Sequence, residues 1–569
     1  MGGDGSPFRS AYLDYEALTR VVEGWASAHP DLVRLESLAT TREGRSVWLL
    51  TIGHEPERIR PGVWVDGNLH ASELAGSSVA LSIAEDALRL VSGEARTLHG
   101  LPEHVVERLG EVLFYVCPRI SPDGAEAVLK TGRYVRSVPR DPRPGQHAAR
   151  WVAEDVDGDG LALLMRKVDP AGDYVESKEV LGLMLPRQLE DPPPYYKVWP
   201  EGRIENFDGH RVPDPIFLSD NGPDLNRNFP WSWQPEPTQV GAGPFPGSEP
   251  ETRAILDFAT RHPNLFAWLN LHTFGGVFIR PLGAAPDTKL DPWERALFRQ
   301  LEAWGQEIVG YPMVSGYEEF TYEPEKPIHG DLSDFAWHVR GCIAYVCELW
   351  DLFAQVGIER KKPFVDTYSH LDRSDLVRLG RWDQEHNRGR VLRPWKPVVH
   401  PQLGEVEVGG LDPRVGLWNP PPEKLPELCE RQSAMWMRVA ALLPQIAIDP
   451  PEPQRHGDLT RVELCIRNEG YLPTYGTPTA RQLPWNEPLH LTIHPRGPKL
   501  VDPEGGRLEV GHLSGWGRGR FGGAEALYAL RSLGTGNARR LAFTVEGHGT
   551  VEVRVGSCRL GARTLQIEV

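Results

Sequence analysis

The chain has 569 residues, of which 40% are hydrophobic and 25% charged, as is ordinary for a soluble globular protein with room for two domains. Its formal net charge of -16 argues against a nucleic-acid partner and against an anionic membrane surface. No apolar run reaches the roughly 18 residues that a transmembrane helix requires, so no membrane-spanning segment is expected.

The first part of the chain alternates strand-like apolar runs with helix-like amphipathic runs. The predicted strands lie at 47–52, 63–65, 112–116, 266–271 and 343–347. The predicted helices lie at 77–90, 251–259, 293–309 and 428–443. This alternation predicts an α/β fold in which helices enclose a largely parallel or mixed sheet.

A histidine and a glutamate stand three residues apart, in Gly-Asn-Leu-His-Ala-Ser-Glu, shortly after the strand predicted at 63–65. The imidazole of His70 and the carboxylate of Glu73 are natural zinc ligands, and a catalytic zinc site needs one further protein ligand. Open α/β sheets also place their chemistry at the carboxyl edge of the strands. Alone, the pair is more often two polar residues of a surface loop.

Two later strands also deliver polar residues at their ends. The run 265–271 is followed by His272, and the run 342–347 by Glu348. An acid that ends a buried strand is costly unless it is paired or used. Between the strand predicted at 63–65 and the run 265–271 lies Asp-Leu-Asn-Arg-Asn-Phe at 224–229, which contains Asn226 and Arg227. The repeated placement of such residues indicates one shared site.

With these motifs in place, the sequence resembles the zinc carboxypeptidases of the M14 family over about residues 12–445. The motifs follow the family's order along the chain. They are His70 with Glu73, Pro122-Asp123-Gly124, Met165-Arg166-Lys167, Asn226-Arg227, Ser248-Glu249-Pro250-Glu251, His272 and Glu348. The resemblance implies a carboxypeptidase-like α/β/α catalytic domain with a mixed sheet.

The resemblance also implies the roles of the metal site. His70, Glu73 and His272 would hold one zinc ion per chain and leave a position open for water. Glu348 would take a proton from that water and later pass it to the leaving amine. Arg166 would stabilise the oxyanion that forms from the scissile carbonyl.

The substrate-binding roles come from the same resemblance. Asn226 and Arg227 would bind the terminal carboxylate of the substrate, because a guanidinium fork suits a planar carboxylate. Asp224 would orient the ring of His70. The family's substrate-closing tyrosine is assigned to Tyr322, with Tyr317 as the other candidate.

Relative to the family, the stretch from about 133 to 220 is a large insertion rich in proline, arginine and acids. We expect it to cover the catalytic domain as a lid or rim rather than build its own core; a disordered surface insertion is the alternative. Its sequence Asp-Val-Asp-Gly-Asp-Gly at 155–160 is similar to the start of a calcium loop. Because Arg166 takes the twelfth position instead of glutamate, an acidic turn is favoured over bound Ca²⁺.

The catalytic domain is predicted to span residues 1–446, and the proline-rich stretch 447–457 to form a linker. Beyond it, residues at 460–466, 489–493, 540–545 and 550–555 alternate with period two. They predict a small all-β sandwich over 458–569. Stabilising the catalytic domain, docking a partner and shaping substrate access all remain open as its role.

The resemblance implies a zinc-dependent metallocarboxypeptidase that hydrolyses the C-terminal peptide bond of peptides with a free carboxylate. The alternatives are a zinc amidohydrolase or deacylase acting on a non-peptide or cell-wall-type amide, and a catalytically silent binding module. The preferred C-terminal residue stays open, although Asp331 and Ser333 fall in the family's specificity segment. Scattered cysteines and the absence of a leader pattern favour the cytoplasm. The oligomeric state is open.

Overall fold

The computed structural model describes residues 6–140, 148–216, 220–323, 326–520, 528 and 532–569; parts of the predicted insertion, 141–147 and 217–219, lie outside these ranges. The described helices are α1 (Tyr15–Ala28), α2 (Ala75–Val91), α3 (Glu103–Leu109), α4 (Pro122–Thr131), α5 (Pro250–Arg261), α6 (Pro292–Trp304), α7 (Gly316–Glu319), α8 (Leu332–His338), α9 (Leu352–Val356), α10 (Asp366–Ser369), α11 (Arg373–His386), α12 (Leu425–Ala440) and α13 (Pro478–Arg481).

The described strands belong to five sheets. In chain order they are β1 (Val33–Thr40), β2 (Ser46–Ile52), β3 (Gly62–Gly67), β4 (Leu113–Cys117), β5 (Arg150–Ala153), β6 (Leu164–Val168), β7 (Tyr174–Glu176), β8 (Met184–Pro186), β9 (Tyr196–Pro200), β10 (Gly202–Glu205), β11 (Leu265–Thr273), β12 (Val277–Arg280), β13 (Met313–Ser315), β14 (Ile343–Leu349), β15 (Leu392–His400), β16 (Gly404–Leu411), β17 (Ile446–Ile448), β18 (Glu452–His456), β19 (Leu459–Asn468), β20 (Leu489–Arg496), β21 (Lys499–Asp502), β22 (Arg507–Gly511), β23 (Ala538–Glu546), β24 (Thr550–Ser557) and β25 (Gly561–Glu568).

The largest sheet has eight strands in the order β1-β2-β4-β3-β11-β14-β12-β13 and mixes parallel with antiparallel pairs, which confirms the predicted α/β class. All residues of β3 and β11 are buried, as their nearly continuous apolar sequences predict for central parallel strands. Helix α2 packs over β3, β4 and β11, and α12 packs on α2, while α8 packs on β11 and β14.

The register of the central strands brings their carboxyl ends to one edge of the sheet. Leu271 pairs with Gly67 on one side and with Cys347 on the other, and His272 pairs with Glu348. Residues that follow β3, end β11 and end β14 are therefore neighbours in space although they are far apart in the chain.

The insertion builds a sheet of its own together with a later hairpin. Its strands pair in the order β15-β16-β6-β9-β7-β8, and β5 pairs with β10. The apolar cluster beneath them consists of Trp151, Met165, Ile204, Val406 and Val408. The insertion supplies three of these five side chains and β16 supplies the other two, so the core beneath the sheet is shared with a later part of the chain.

The C-terminal region is an all-β sandwich, as predicted. One sheet has the order β17-β19-β23-β21, with β18 also paired to β19, and the other has the order β22-β20-β24-β25. The stretch 447–457 is not a free linker, because most of β17 and all of β18 lie within it and pair with β19.

The fully buried Arg559 joins the sandwich to the large sheet. Its guanidinium donates hydrogen bonds to the carbonyl oxygens of Leu265, Arg340 and Gly341 and lies 4.3 Å from the ring centroid of Phe266. The sandwich is thereby attached to the start of β11, the strand that carries His272. Among the described residues, no helix combines the length and apolarity needed to cross a membrane.

Candidate metal centre

The loop after β3 is held in place by two close approaches. A side chain on Gly67 would collide with the backbone of Gly76, because its Cβ would lie 2.5 Å from the carbonyl carbon of Gly76. Asn68 adopts a left-handed φ of 56°, and its amide donates hydrogen bonds to the carbonyl oxygens of His70 and Ala71. The histidine and the glutamate that follow are therefore presented at the start of α2.

The structure brings His70, Glu73 and His272 together as one buried cluster. Nδ1 of His70 lies 2.8 Å from Oε1 of Glu73, and Nδ1 of His272 lies 2.9 Å from Oε2 of the same carboxylate. The two Nδ1 atoms are 3.0 Å apart. Although Oε2 of Glu73 is close to His272, the pair does not have hydrogen-bond geometry, so this buried oxygen lacks a hydrogen-bond partner. Two imidazole nitrogens and an unsatisfied carboxylate oxygen that converge in this way fit a zinc ion.

The outward-facing nitrogens of both rings donate to oxygen acceptors. Nε2 of His70 lies 3.2 Å from Oδ1 of Asp224, and Nε2 of His272 lies 2.6 Å from Oδ1 of Asn270. Asn270 in turn donates to the buried carboxylate of Asp66. A proton fixed on Nε2 leaves Nδ1 as a lone-pair donor, which is the tautomer that a metal ligand needs. The sequence indicated Asp224, but it gave no signal for Asn270.

Burial and charge shift the acid–base properties of the cluster. Burial lowers the pKa of His272, which favours the neutral ring. Burial and the charge of Glu73 raise the pKa of Glu348 well above its usual range, while the charge of Arg136 lowers it. For Asp224, burial alone would raise the pKa, but Arg136 and Arg227 bring it well below the ordinary value. Glu348 is therefore the carboxyl group of the site that most readily holds a proton.

A cavity of about 260 Å³ opens over the cluster, and most of the predicted site residues line it together. These are His70, Glu73, His272, Glu348, Asn226, Arg227 and Tyr322. Tyr322 is 61% exposed. Oδ1 of Asn226 accepts from the backbone N–H of Leu332 at 2.9 Å, which ties it to the start of α8. Asp331 and Ser333 also line the cavity.

The structure does not bring Arg166 to this cavity. Its guanidinium pairs with Glu176 at 2.8 Å and with Glu407 at 2.7 Å, and it lies 4.6 Å from the ring centroids of Tyr196 and Trp395. The prediction for Arg166 is corrected because the Met-Arg-Lys sequence belongs to β6, between β9 and β16 of the insertion's sheet.

Arg136 lines the cavity in its place. Its Nε donates to Oδ2 of Asp224 at 2.8 Å, so the same carboxylate contacts both Arg136 and His70. The sequence Tyr-Val-Arg-Ser at 134–137 was the available signal. Because the predicted insertion begins at about 133, this motif falls just inside it and the sequence prediction gives Arg136 no role.

The calcium-like loop has a carboxylate that the sequence did not indicate. Asp155, Asp157 and Glu201 approach one another. Both carboxylate oxygens of Glu201 already accept backbone N–H groups, and Nζ of Lys396 lies 3.0 Å from Oδ2 of Asp159. Glu201 therefore adds a carboxylate to the acidic turn, and the preference for a turn over bound Ca²⁺ stays a prediction.

Comparison with known proteins adds independent information. A family model described as zinc carboxypeptidase matches residues 18–159 and 196–356, more than half of the chain. Another, described as a domain of unknown function, matches 445–568.

Relatives and solved structures match more distantly. Carboxypeptidase B of Bos taurus is 29% identical over 134 residues, covering 24% of this chain and 30% of that protein. Mast cell carboxypeptidase A of Rattus norvegicus is 21% identical over 279 residues, 48% of each protein. The chain thus spans half or less of these relatives. The crystal structure of thrombin activatable fibrinolysis inhibitor matches at 17% identity and a TM-score of 0.40, covering 66% of this chain and 75% of that one.

Proposed function

The chain belongs to the zinc carboxypeptidase family, and from that premise we propose that it is a zinc-dependent metallocarboxypeptidase that releases the C-terminal residue of substrates with a free carboxylate. The observation that carries the proposal is the convergence of the three candidate zinc ligands in one cavity with Asn226 and Arg227. A metal site alone suits many hydrolases. A guanidinium and an amide beside it suit a substrate that ends in a carboxylate.

The three donors His70, Glu73 and His272 would hold the ion. Zinc bound there supplies Lewis-acid polarisation of a carbonyl and a lowered pKa for water. Hydrogen bonds to Asp224 and Asn270 keep both rings oriented with Nδ1 inward. Replacing Asp224 or Asn270 is expected to weaken metal affinity. Loss of a residue that hydrogen-bonds a metal ligand typically lowers metal affinity or activity by about 10–100-fold.

Glu348 is the proposed general base and acid. Its carboxylate accepts a proton from the attacking water and returns it to the nitrogen of the leaving amine, so the amide bond breaks with no net change in Glu348. Its position supports this role, because Glu348 pairs in register with His272 at the carboxyl end of β14 and lines the cavity over the cluster.

Arg136 is the proposed oxyanion donor. It lines the cavity, and its contact with Asp224 fixes the guanidinium plane before substrate arrives. A fixed cationic donor stabilises the charge that develops on the scissile oxygen and needs no reorganisation during the reaction.

Arg227 and Asn226 are the proposed carboxylate clamp, and Tyr322 at the exposed rim is the proposed closing residue. Asp331 and Ser333 lie beside the clamp, where the side chain of the released residue would enter. The carboxylate of Asp331 accepts from Ser333 and from the backbone N–H of Asp334, which holds it at the start of α8. A panel of C-terminal residues would reveal the preference that this pocket sets.

Paired substrates test the proposal. A blocked peptide with a free C-terminal carboxylate and the same peptide as its C-terminal amide are incubated with the zinc-loaded protein, and the released product is quantified. We expect turnover of the acid and poor turnover of the amide. Equal rates would contradict the clamp and favour the amidohydrolase alternative. No turnover of either substrate by a zinc-loaded protein would favour the catalytically silent module.

A further inference from the structure

A second cavity of about 520 Å³ adjoins the metal-site cavity, and we name it the apolar chamber. Aliphatic and aromatic side chains from the insertion, from the α9 and α11 region and from the segment 411–418 line it. They include Leu164, Leu352, Phe353, Leu376, Leu379 and Leu417. Its volume is within the range of cavities that bind small molecules, about 300–1,000 Å³.

The chamber and the metal-site cavity share three lining residues. Tyr134, Phe274 and Trp418 line both, and the rings of Tyr134 and Trp418 lie 4.8 Å apart. Tyr134 is two residues from Arg136, and Phe274 is two residues from His272. The chamber therefore begins beside the proposed reaction centre.

The clamp lies outside this chamber, since neither Asn226 nor Arg227 lines it. A substrate whose terminal carboxylate is held by the clamp has its scissile amide at the metal site, and Tyr134, Phe274 and Trp418 join that site to the chamber. The part that reaches the chamber is then the acyl side of the scissile amide.

The lining indicates the chemistry of that acyl side. Among the described lining residues, only Glu201, Asp220, Asn221 and Asp375 carry a charge or an amide. Glu201 accepts two backbone N–H groups and Asp375 accepts one, so both are already engaged in the fold. A peptide segment would bring amide groups that need partners, whereas a hydrocarbon chain brings none.

We propose that the preferred substrate is an amino acid whose α-nitrogen carries a medium or long aliphatic acyl group, with the chain seated in the apolar chamber. This assignment rests on the proposed carboxypeptidase function. Water adds across the acyl carbon–nitrogen bond. The acyl carbon–nitrogen bond breaks: the hydroxyl of water goes to the carbonyl carbon, which gives a fatty acid, and the proton of water goes to the nitrogen, which gives the free amino acid. No oxidant or further reactant is needed.

The rim of the chamber supports access from solvent. Leu371 is 37% exposed and Ile216 is 55% exposed, and both line the chamber. Apolar side chains left exposed at the mouth of an apolar cavity are typical of ligand entry sites. An acyl chain longer than the chamber could continue past them.

The test is a chain-length series. The full-length, zinc-loaded enzyme is assayed with one amino acid acylated by acetyl, hexanoyl, octanoyl, decanoyl and dodecanoyl groups, below their micelle-forming concentrations. We expect kcat/KM to rise roughly two- to fourfold per added methylene until the chamber is filled, and then to level off. N-blocked dipeptides whose first residue, before the scissile bond, is leucine or phenylalanine are assayed as the peptide comparison.

Two variants locate the effect. Leu371→Glu places a charge at the chamber's mouth and should lower the ratio of dodecanoyl to acetyl kcat/KM by tenfold or more, on the order of the cost of putting a charge into an apolar site. Leu189→Glu is the matched control, because Leu189 is 94% exposed and does not line the chamber. It should leave the ratio as in the wild type.

The outcomes separate this proposal from the proposed function. Turnover of the acetyl substrate with no gain along the series would overturn the chamber assignment and leave the carboxypeptidase function standing. A higher kcat/KM for the apolar dipeptides, with no rise for the longer acyl chains, would also overturn the chamber assignment. So would an equal fall of the dodecanoyl-to-acetyl ratio in Leu371→Glu and Leu189→Glu. No turnover of any free-acid substrate would count against the function itself.

Discussion

Replacing Arg136 with alanine should reduce catalysis far more than replacing Arg166, although sequence resemblance pointed to Arg166. Arg136 lines the metal-site cavity and Arg166 does not. Removing one oxyanion-hole donor typically costs about 10²–10³-fold in kcat, or roughly 3–4 kcal/mol. We expect Arg136→Ala to fall in that range on a blocked free-acid peptide.

The two arginines also differ in what their loss does to stability. Arg136 contacts the 1% exposed Asp224, so its removal takes a partner from a buried carboxylate and should cost about 3 kcal/mol or more of unfolding free energy. The partners of Arg166, Glu176 and Glu407, have side chains that are 26% and 36% exposed. Solvent reaches these partners, so the expected cost is about 1 kcal/mol for each pair, to which the lost contacts of the 8% exposed Arg166 side chain with Tyr196 and Trp395 add about 0.5–1 kcal/mol for each ring.

Steady-state kinetics with zinc content and thermal unfolding measured on the same samples decide between the two arginines. The prediction is a large drop in kcat for zinc-loaded, folded Arg136→Ala and a change of less than about threefold for Arg166→Ala. A reversed order of the two kcat values would refute the assignment of Arg136. Equal, small effects would mean that neither arginine stabilises the oxyanion.

Three further predictions concern the base, the carboxylate clamp and the buried Asp86 of α2. Glu348→Gln should keep zinc yet lose turnover by about 10²-fold or more, since it removes the base and keeps the shape; loss of zinc in this variant would make Glu348 a ligand. Arg227→Ala should weaken kcat/KM for free-acid peptides by about 2–5 kcal/mol while the already poor amide substrate changes little, and equal losses on both would contradict the clamp. Burial alone raises the pKa of Asp86, but hydrogen bonds from His99 and Ser433 bring it below its usual value. The difference in unfolding free energy between the wild type and Asp86→Asn should therefore be largest above about pH 4 and decrease at lower pH. Urea unfolding that shows the same difference down to about pH 3 would contradict this.

The metal cluster could be predicted from sequence because its residues follow fully buried strands. In β11 only Asn270 interrupts the apolar run before His272, and in β14 no charged residue precedes Glu348, so the added histidine and acid are conspicuous and their position at the sheet edge follows from strand direction. His70, His272 and Glu348 were placed by this reasoning and lie together in the structure. Their roles as ligands and base remain predictions.

Arg166 shows where local sequence similarity is insufficient. A short Arg-Lys sequence matches the family's motif only if the chain before it is aligned correctly. The insertion changes the spacing between motifs, so spacing no longer identifies the matching arginine. The structure puts it in a strand whose neighbours, β9 and β16, come from positions about 30 and 240 residues away. No period or motif within a single segment encodes such pairing.

The same limitation explains the insertion and the predicted linker. The core under β5 and β6 is completed by Val406 and Val408, which lie outside the insertion, so its own composition appeared too polar to fold. The proline-rich stretch 447–457 carries turn signals, yet edge strands tolerate proline, and β18 pairs with β19 through Pro453. In both cases long-range pairing outweighed local composition.

The most direct test of the central claim is the zinc content of the purified full-length protein. It is measured by elemental mass spectrometry and divided by the protein concentration. The account predicts about one zinc ion per chain in the wild type and the loss of most of it in His272→Ala, because a two-histidine, one-carboxylate set cannot spare a ligand. A wild type that binds no zinc, or a folded His272→Ala variant with full occupancy, would contradict it.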